Sequence, residues 1–209
     1  MNFANRYLWC WLSLFLLGSC SQNIAKKILP ITVLPIDLQN HVSRLSQIKP
    51  PRNYQHLASL NLAADYIFQE FSLAGLRITK QTYQITNNGM FTNIIAEINP
   101  TATSVIVIGA HYDVCDEFKG ADDNASGVAG LIELGKLLHI HEKEIPFNVQ
   151  LVAFSTEEPP FFGTTDMGSY VHAKSLFDQQ KKVVLMISLE MIGYFTDKNN
   201  NAIPVAINN

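Results

Sequence analysis

The apolar positions of this chain change period several times, and each change marks a predicted element. Leu38, Val42 and Leu45 recur at helical spacing and predict a helix over 36–48, stopped by Lys49-Pro50-Pro51. Leu57, Leu60, Ala64, Ile67, Phe68 and Phe71 mark a longer amphipathic helix, with Gly75 placed as its C-terminal cap. Two strand-like runs follow, 77–85 and 91–98, joined through Asn87-Asn88-Gly89, and Asn-Gly between such runs signals a hairpin. Val105 to Ile108 is apolar and too short for a helix, so it reads as a buried strand. A helix over 128–140, a strand over 147–154, a helix from about Ser169 and a strand over 183–189 complete the pattern. Strands alternating with helices need crossover connections, which predicts an α/β fold with a largely parallel sheet and the early hairpin antiparallel at one side.

Three of these strands end in the same kind of chemistry. The first leads into His111 and Asp113, the second into Glu157-Glu158, the third into Glu190. Asp123 follows His111 by twelve residues, inside the run Gly120 to Gly127 that opens the next helix. Open α/β sheets build their sites beyond the carboxyl ends of strands. Imidazole nitrogen and carboxylate oxygen are ligands that zinc accepts. One strand ending in an acidic residue is commonplace; three in one chain point to a metal site. Cys115 and His172 are set aside as ligands, because the nitrogen and oxygen set is already complete. His139 and His141 read as solvating a helix end, and His41 and His56 as surface residues.

The motifs His111-Tyr112-Asp113, GADDNASG (Gly120 to Gly127), Glu157-Glu158 and LEMIGY (Leu189 to Tyr194) together resemble those of the di-zinc aminopeptidases. That clan also holds glutamate carboxypeptidases and glutaminyl cyclases, and the resemblance covers most of the chain after about Leu38. It implies a zinc-exopeptidase-like, three-layer α/β/α fold on a mixed, largely parallel sheet. It also implies two zinc ions, with Asp123 bridging and His111, Glu158 and Glu190 as further ligands, one metal being left without its imidazole. Glu157 is similar to the family's general base. Asp113 would accept a hydrogen bond from the far nitrogen of His111 and fix its tautomer. Metal binding lowers the pKa of a bound water to about 7, so hydroxide is available at neutral pH. On an extended segment, with Pro159 following, the side chains of Glu157 and Glu158 are expected to point opposite ways. The Pro51-Arg52-Asn53-Tyr54 run is similar to one in some bacterial members, with no role legible from sequence. One departure stands out: the family supplies a further histidine downstream, whereas fifteen residues follow Tyr194 here and none is histidine. The chain therefore looks truncated, with later strands missing and an apolar sheet edge exposed.

Composition narrows the picture further. A net charge of −3 and no dense basic stretch argue against nucleic acid as a partner, and 47% apolar residues in 209 suit one domain with a real core. Arg6 precedes an apolar run from Tyr7 to Gly18, then Ser19-Cys20, the layout of an export signal. That run falls short of the ~20 residues that span a bilayer. Leu17-Gly18-Ser19-Cys20 also resembles a lipobox, so residues 1–20 are expected to be a lipoprotein-type signal, 21–35 a tether and 36–209 the catalytic domain, incomplete at its C-terminus. The expected location is exported: periplasmic, anchored at the outer membrane through Cys20, or secreted. Cys115 would then be the free thiol of the mature chain, with no disulfide framework. The function that follows is a zinc aminopeptidase acting on N-terminal peptide bonds of a peptide substrate. Alternatives are a glutaminyl-cyclase-like acyltransferase using one zinc, and a non-catalytic metal- or peptide-binding remnant.

Overall fold

A proline opens the first helix, where its missing N–H costs nothing. Helix α1 spans Pro35–Ser46, with Asp37 in its first turn and Arg44 in its last, both matched to the helix dipole. The computed structural model describes residues 33–195, so the signal-like start, Cys10, Cys20 and the Asn-rich end lie outside the described residues. Helix α2 spans Leu57–Leu73 and buries Leu60, Ala63, Ala64, Ile67 and Phe71 along one face. Gly75, at φ 79°, ends it in the left-handed conformation. The Leu76 N–H reaches the Phe71 carbonyl at 3.1 Å and the Gly75 N–H the Ser72 carbonyl at 2.9 Å, the paired closure that a cap glycine permits.

Strands β1 (Arg77–Ile85) and β2 (Gly89–Ile98) form the expected hairpin, with Asn87 and Gly89 both at positive φ in the turn. The alternation of elements continues with β3 (Ser104–His111), α3 (Gly127–Ile140), β4 (Asn148–Phe154), α4 (Gly168–Asp178) and β5 (Lys182–Ser188). The sheet order is β1-β2-β4-β3-β5. β2 runs antiparallel to β1 and to β4, while β3 runs parallel to both β4 and β5. The sheet is thus mixed, and its parallel part is the three strands whose ends carry the candidate chemistry.

Alternate side chains of these strands feed two apolar clusters. Ile106, Ile108 and Ala110 of β3, with Val149, Leu151 and Ala153 of β4, pack with Leu45, Ile67, Phe71, Val128 and Leu131 from α1, α2 and α3. Val105, Val107, Val152 and Phe154 point the other way and meet Leu176 of α4. Helices on both faces of one sheet make the three-layer α/β/α arrangement. β4 is buried at every position. β5 is exposed at every position, although Val183 to Ile187 are all apolar, with Leu185 48% and Met186 47% exposed. A strand apolar on both faces has the composition of a sheet interior. Among the described residues it lies at an edge.

One surface assignment is corrected by the packing of α1 on α3. His41 is 5% exposed, not on the surface. Its Nδ1 lies 2.6 Å from the Tyr66 hydroxyl and its Nε2 2.9 Å from Glu133 Oε1. Glu133 is buried on α3 and also accepts from Lys136 at 2.7 Å. A buried carboxylate needs such partners, and an amphipathic pattern alone does not reveal which helix will supply one.

Candidate active site

β3 lies between β4 and β5, so the carboxyl ends of all three adjoin. His111 is the last residue of β3 and 3% exposed. Its Nδ1 lies 3.2 Å from Asp113 Oδ1. Its Nε2 faces three carboxylates: Asp123 Oδ1 at 3.1 Å, Glu190 Oε1 at 3.3 Å and Glu157 Oε2 at 3.8 Å. Donor atoms of His111, Asp123 and Glu190 lie within 4.8 Å of one another, and so do those of His111, Glu157 and Glu158. The structure therefore gathers the other five sequence-predicted site residues around the His111 imidazole.

Each carboxylate is delivered by a local device. Asp113, 4% exposed, accepts from the N–H of Glu157 at 3.0 Å and of Glu158 at 3.0 Å, so one side chain both orients His111 and pins the segment after β4. The side chains of that segment do not point apart as expected. The chain bends at Glu158 into the Pro159-Pro160 turn, and both glutamates reach the His111 side instead of pointing apart. Asp123 sits in an irregular turn, Ala121–Ser126, where its own φ/ψ of −99°/97° and that of Asn124 depart from helical values before α3 begins. The kink turns the Asp123 carboxylate toward His111.

Sequence reasoning missed Asn124. It is 0% exposed, and its amide group joins two segments far apart in sequence. Its Nδ2 donates to the Leu189 carbonyl at 2.8 Å and to Glu190 Oε2 at 3.2 Å, while its Oδ1 accepts from the N–H of Gly127 at 3.1 Å and of Met191 at 3.2 Å. Gly127 must be glycine here, because a Cβ would collide with Asn124 Oδ1 and the Leu189 carbonyl. Asp122, which reads as a turn residue, accepts from the Gly193 N–H at 3.0 Å. An Asp-Asp-Asn run carries no signal that separates a cap from a staple of this kind.

The electrostatics follow from crowding. Burial pulls the His111 imidazole down, but its hydrogen bonds to Asp113, Asp123 and Glu190 outweigh that and push its pKa up to about 12. Asp123 is held below the usual carboxylate range by its hydrogen bond to His111. Glu157 rises to about 6: burial raises it most, His111 opposes, and the neighbouring carboxylates add to the rise. Glu158 rises to about 7 through burial and Asp123. Five carboxylates on one imidazole leave surplus negative charge, which is the field that gathers divalent cations. A cavity of about 340 Å3, lined by Cys115, Gly120, Asp123 and Glu158 among others, adjoins this cluster. Cys115 is a half-buried wall residue and belongs to neither donor group.

A larger cavity, about 730 Å3, lies between α4 and strands β3 and β5, and none of the donor residues lines it. It surrounds His172, whose ring nitrogens are both buried without a hydrogen-bond partner. Burial lowers the His172 pKa to about 4. Tyr194 and Phe195, at the end of the described residues, are 73% and 82% exposed.

A sheet with histidine, aspartate and glutamates gathered at parallel strand ends defines a metallopeptidase-like class. Residues 93–203 match peptidase family M28, and the chain belongs to that family. It is 46% identical over 170 residues to "Uncharacterized protein YfbL" of Escherichia coli (strain K12), a match covering 77% of this chain and 50% of that protein. It is 29% identical to "Probable lipoprotein aminopeptidase LpqL" of Mycobacterium tuberculosis over 54% of this chain and 23% of the relative. Among solved structures, the glutaminyl cyclase of Porphyromonas gingivalis superposes with a TM-score of 0.65 at 27% identity, covering 75% of this chain and 59% of that one. LapB of Legionella pneumophila has a TM-score of 0.64 at 20% identity, over 77% of this chain and 44% of that one, a likeness of fold. The chain spans about half the length of the E. coli relative.

Proposed function

We propose that the His111 cluster is a zinc site and that the protein acts as an exported, zinc-dependent aminopeptidase on peptides. The observation that carries this reading is the approach of Asp123, Glu190, Glu157 and Glu158 to the buried Nε2 side of His111. Nitrogen and carboxylate oxygen donors at this spacing fit zinc. His111, Asp123, Glu158 and Glu190 would hold the metal, two ions by family resemblance, with Asp123 between them. When bound, zinc acts as a Lewis acid and lowers the pKa of water in the site.

The chain's own groups supply the rest. Glu157 is half-buried beside His111 and would act as the general base that takes a proton from water and passes it to the leaving amine. With a cation bound, His111 would give up its Nε2 proton, and Asp113, 3.2 Å from Nδ1, would keep the remaining proton there. Membership of family M28 and aminopeptidase-named relatives, including the lipoprotein aminopeptidase of M. tuberculosis, support the peptidase reading and an exported location. A lipid anchor at Cys20 rests on the lipobox-like run.

A second reading is favoured by the likeness to glutaminyl cyclases. The scaffold would then release ammonia from an N-terminal glutamine by cyclisation. The convergence of both Glu157 and Glu158 on His111 leans toward hydrolysis.

Metal analysis of the purified protein, with assays on aminoacyl-nitroanilides and on N-terminal glutaminyl peptides, separates these readings. Zinc with nitroanilide hydrolysis supports the aminopeptidase. Zinc with glutamine cyclisation supports the second reading. Zinc without turnover assigns the chain a non-catalytic metal-binding role. His111→Ala is expected to release the metal, and full metal content in that variant would reject the site.

A further inference from the structure

Arg52 lies between α1 and α2 and is 2% exposed, the largest of the fully buried side chains. Its guanidinium donates to main-chain carbonyls on the loop that joins the two halves of the candidate metal centre. Nε donates to the Tyr112 carbonyl at 2.8 Å, Nη1 to Lys119 at 2.6 Å and to Leu45 at 3.2 Å, and Nη2 to Gly120 at 2.6 Å. Tyr112 follows His111 directly, and Gly120 precedes Asp123 by three residues. The neighbouring residues add to the clamp: the Val114 N–H donates to the Arg52 carbonyl at 3.2 Å, and Asn53 Nδ2 donates to the Asp116 carbonyl at 2.6 Å. Gly120 is shaped to the guanidinium. It sits at φ 58°, and a Cβ there would press on Arg52 Nη2 and the Val114 side chain.

We propose that Arg52 is the positioning residue of the metal centre: by tying both ends of the 112–120 loop it sets the separation of His111 and Asp123. The inference rests on the zinc reading of the site. The planar fork is what the geometry demands, because a lysine ammonium is a point donor and cannot reach carbonyls at both ends of the loop. Burial also makes the arrangement all-or-none, since a guanidinium displaced from these carbonyls would be left buried without partners.

The test uses Arg52→Met and Arg52→Lys, with Leu60→Ala in α2 as a control for general destabilisation. Zinc affinity is read by competition with a chromogenic chelator, amide hydrogen exchange over 112–123 is read in zinc-free protein, and melting temperature is read for all. Both Arg52 variants are expected to lose at least tenfold in zinc affinity and to exchange faster across the loop. Leu60→Ala should lower the melting temperature while leaving affinity and loop exchange as in the parent. Parent-like affinity and exchange in the Arg52 variants, or equal losses in Leu60→Ala, would overturn the proposal. Arg52→Lys keeps the charge and carries the test should the methionine variant not fold. If the parent binds no zinc, the metal reading fails, while loop exchange still decides whether Arg52 positions the loop.

Discussion

At the scale of single residues, neighbouring groups have opposite needs. Glu157 and Glu158 are adjacent and both approach His111, yet the proposed function gives only one of them a proton to move. Glu157→Gln is near-isosteric and is expected to lower nitroanilide hydrolysis by ~10²–10⁴-fold, the usual share of a general base. Zinc content should be unchanged, so metal loss in this variant would reassign Glu157 as a ligand. His172 offers a prediction free of the metal. Its folded pKa, about 4, lies below the unfolded value near 6.5. The unfolded state therefore binds more protons between these values, and the neutral ring's contribution is full above pH 6.5 and lost as pH falls toward 4. The loss is expected at up to ~1.4 kcal/mol per pH unit, or about 3 kcal/mol across the window. His172→Phe should flatten this acid limb in urea titrations, and an unchanged limb would show that His172 is not its source. The same substitution also removes two unpartnered ring nitrogens, so stability at pH 7 should not fall by more than ~1 kcal/mol.

At the scale of elements, the irregular turn Ala121–Ser126 matters more than any regular helix. Asn124 within it bonds both the start of α3 and the segment carrying Glu190. Asn124→Ala would leave the Leu189 carbonyl and the Gly127 and Met191 N–H groups without their partner, at ~1–3 kcal/mol for each buried group left unpaired. A destabilisation of about 3 kcal/mol, with weakened zinc binding, is expected by urea denaturation and chelator competition; a parent-like variant would refute the staple. What was legible in the sequence follows the same division. Most helices and strands were readable to within a residue or two, because burial imposes periods of 3.6 and 2 on the apolar positions, although β3 runs three residues past Ile108 to His111. The strand-end histidine and carboxylates were readable because the chemistry needs a recognisable set of side chains. The insertion of β4 between β2 and β3 was not readable, since strand order is decided by contacts distant in sequence. Nor were the burial of His41, the turn of Glu157 and Glu158 to one side, or the clamp by Arg52, all of which depend on main-chain paths that hydrophobic pattern does not encode.

At the scale of the whole molecule, the sheet of the described residues ends in two unlike strands. β1 is a polar edge strand, whereas β5 presents Val183 to Ile187 to solvent among the described residues. An apolar edge with unpaired main-chain groups is a template for association. The purified protein is expected to self-associate with rising concentration and to bind ANS. Leu185→Glu should reduce both in static light scattering and dye fluorescence, and a strictly monomeric parent would contradict this.

The place of β5 beside β3 also sets an order of assembly during synthesis. His111 and Glu190 are 79 residues apart in the chain, yet their side chains meet at 3.3 Å. The ribosome must make two crossovers after His111 before that carboxylate emerges. A nascent chain shorter than this has the imidazole and Asp123 but not the Glu190 wall of the cradle. On the zinc reading, ion capture waits until Glu190 has emerged, and chains released before that point should expose a half-built cation trap to the quality-control machinery.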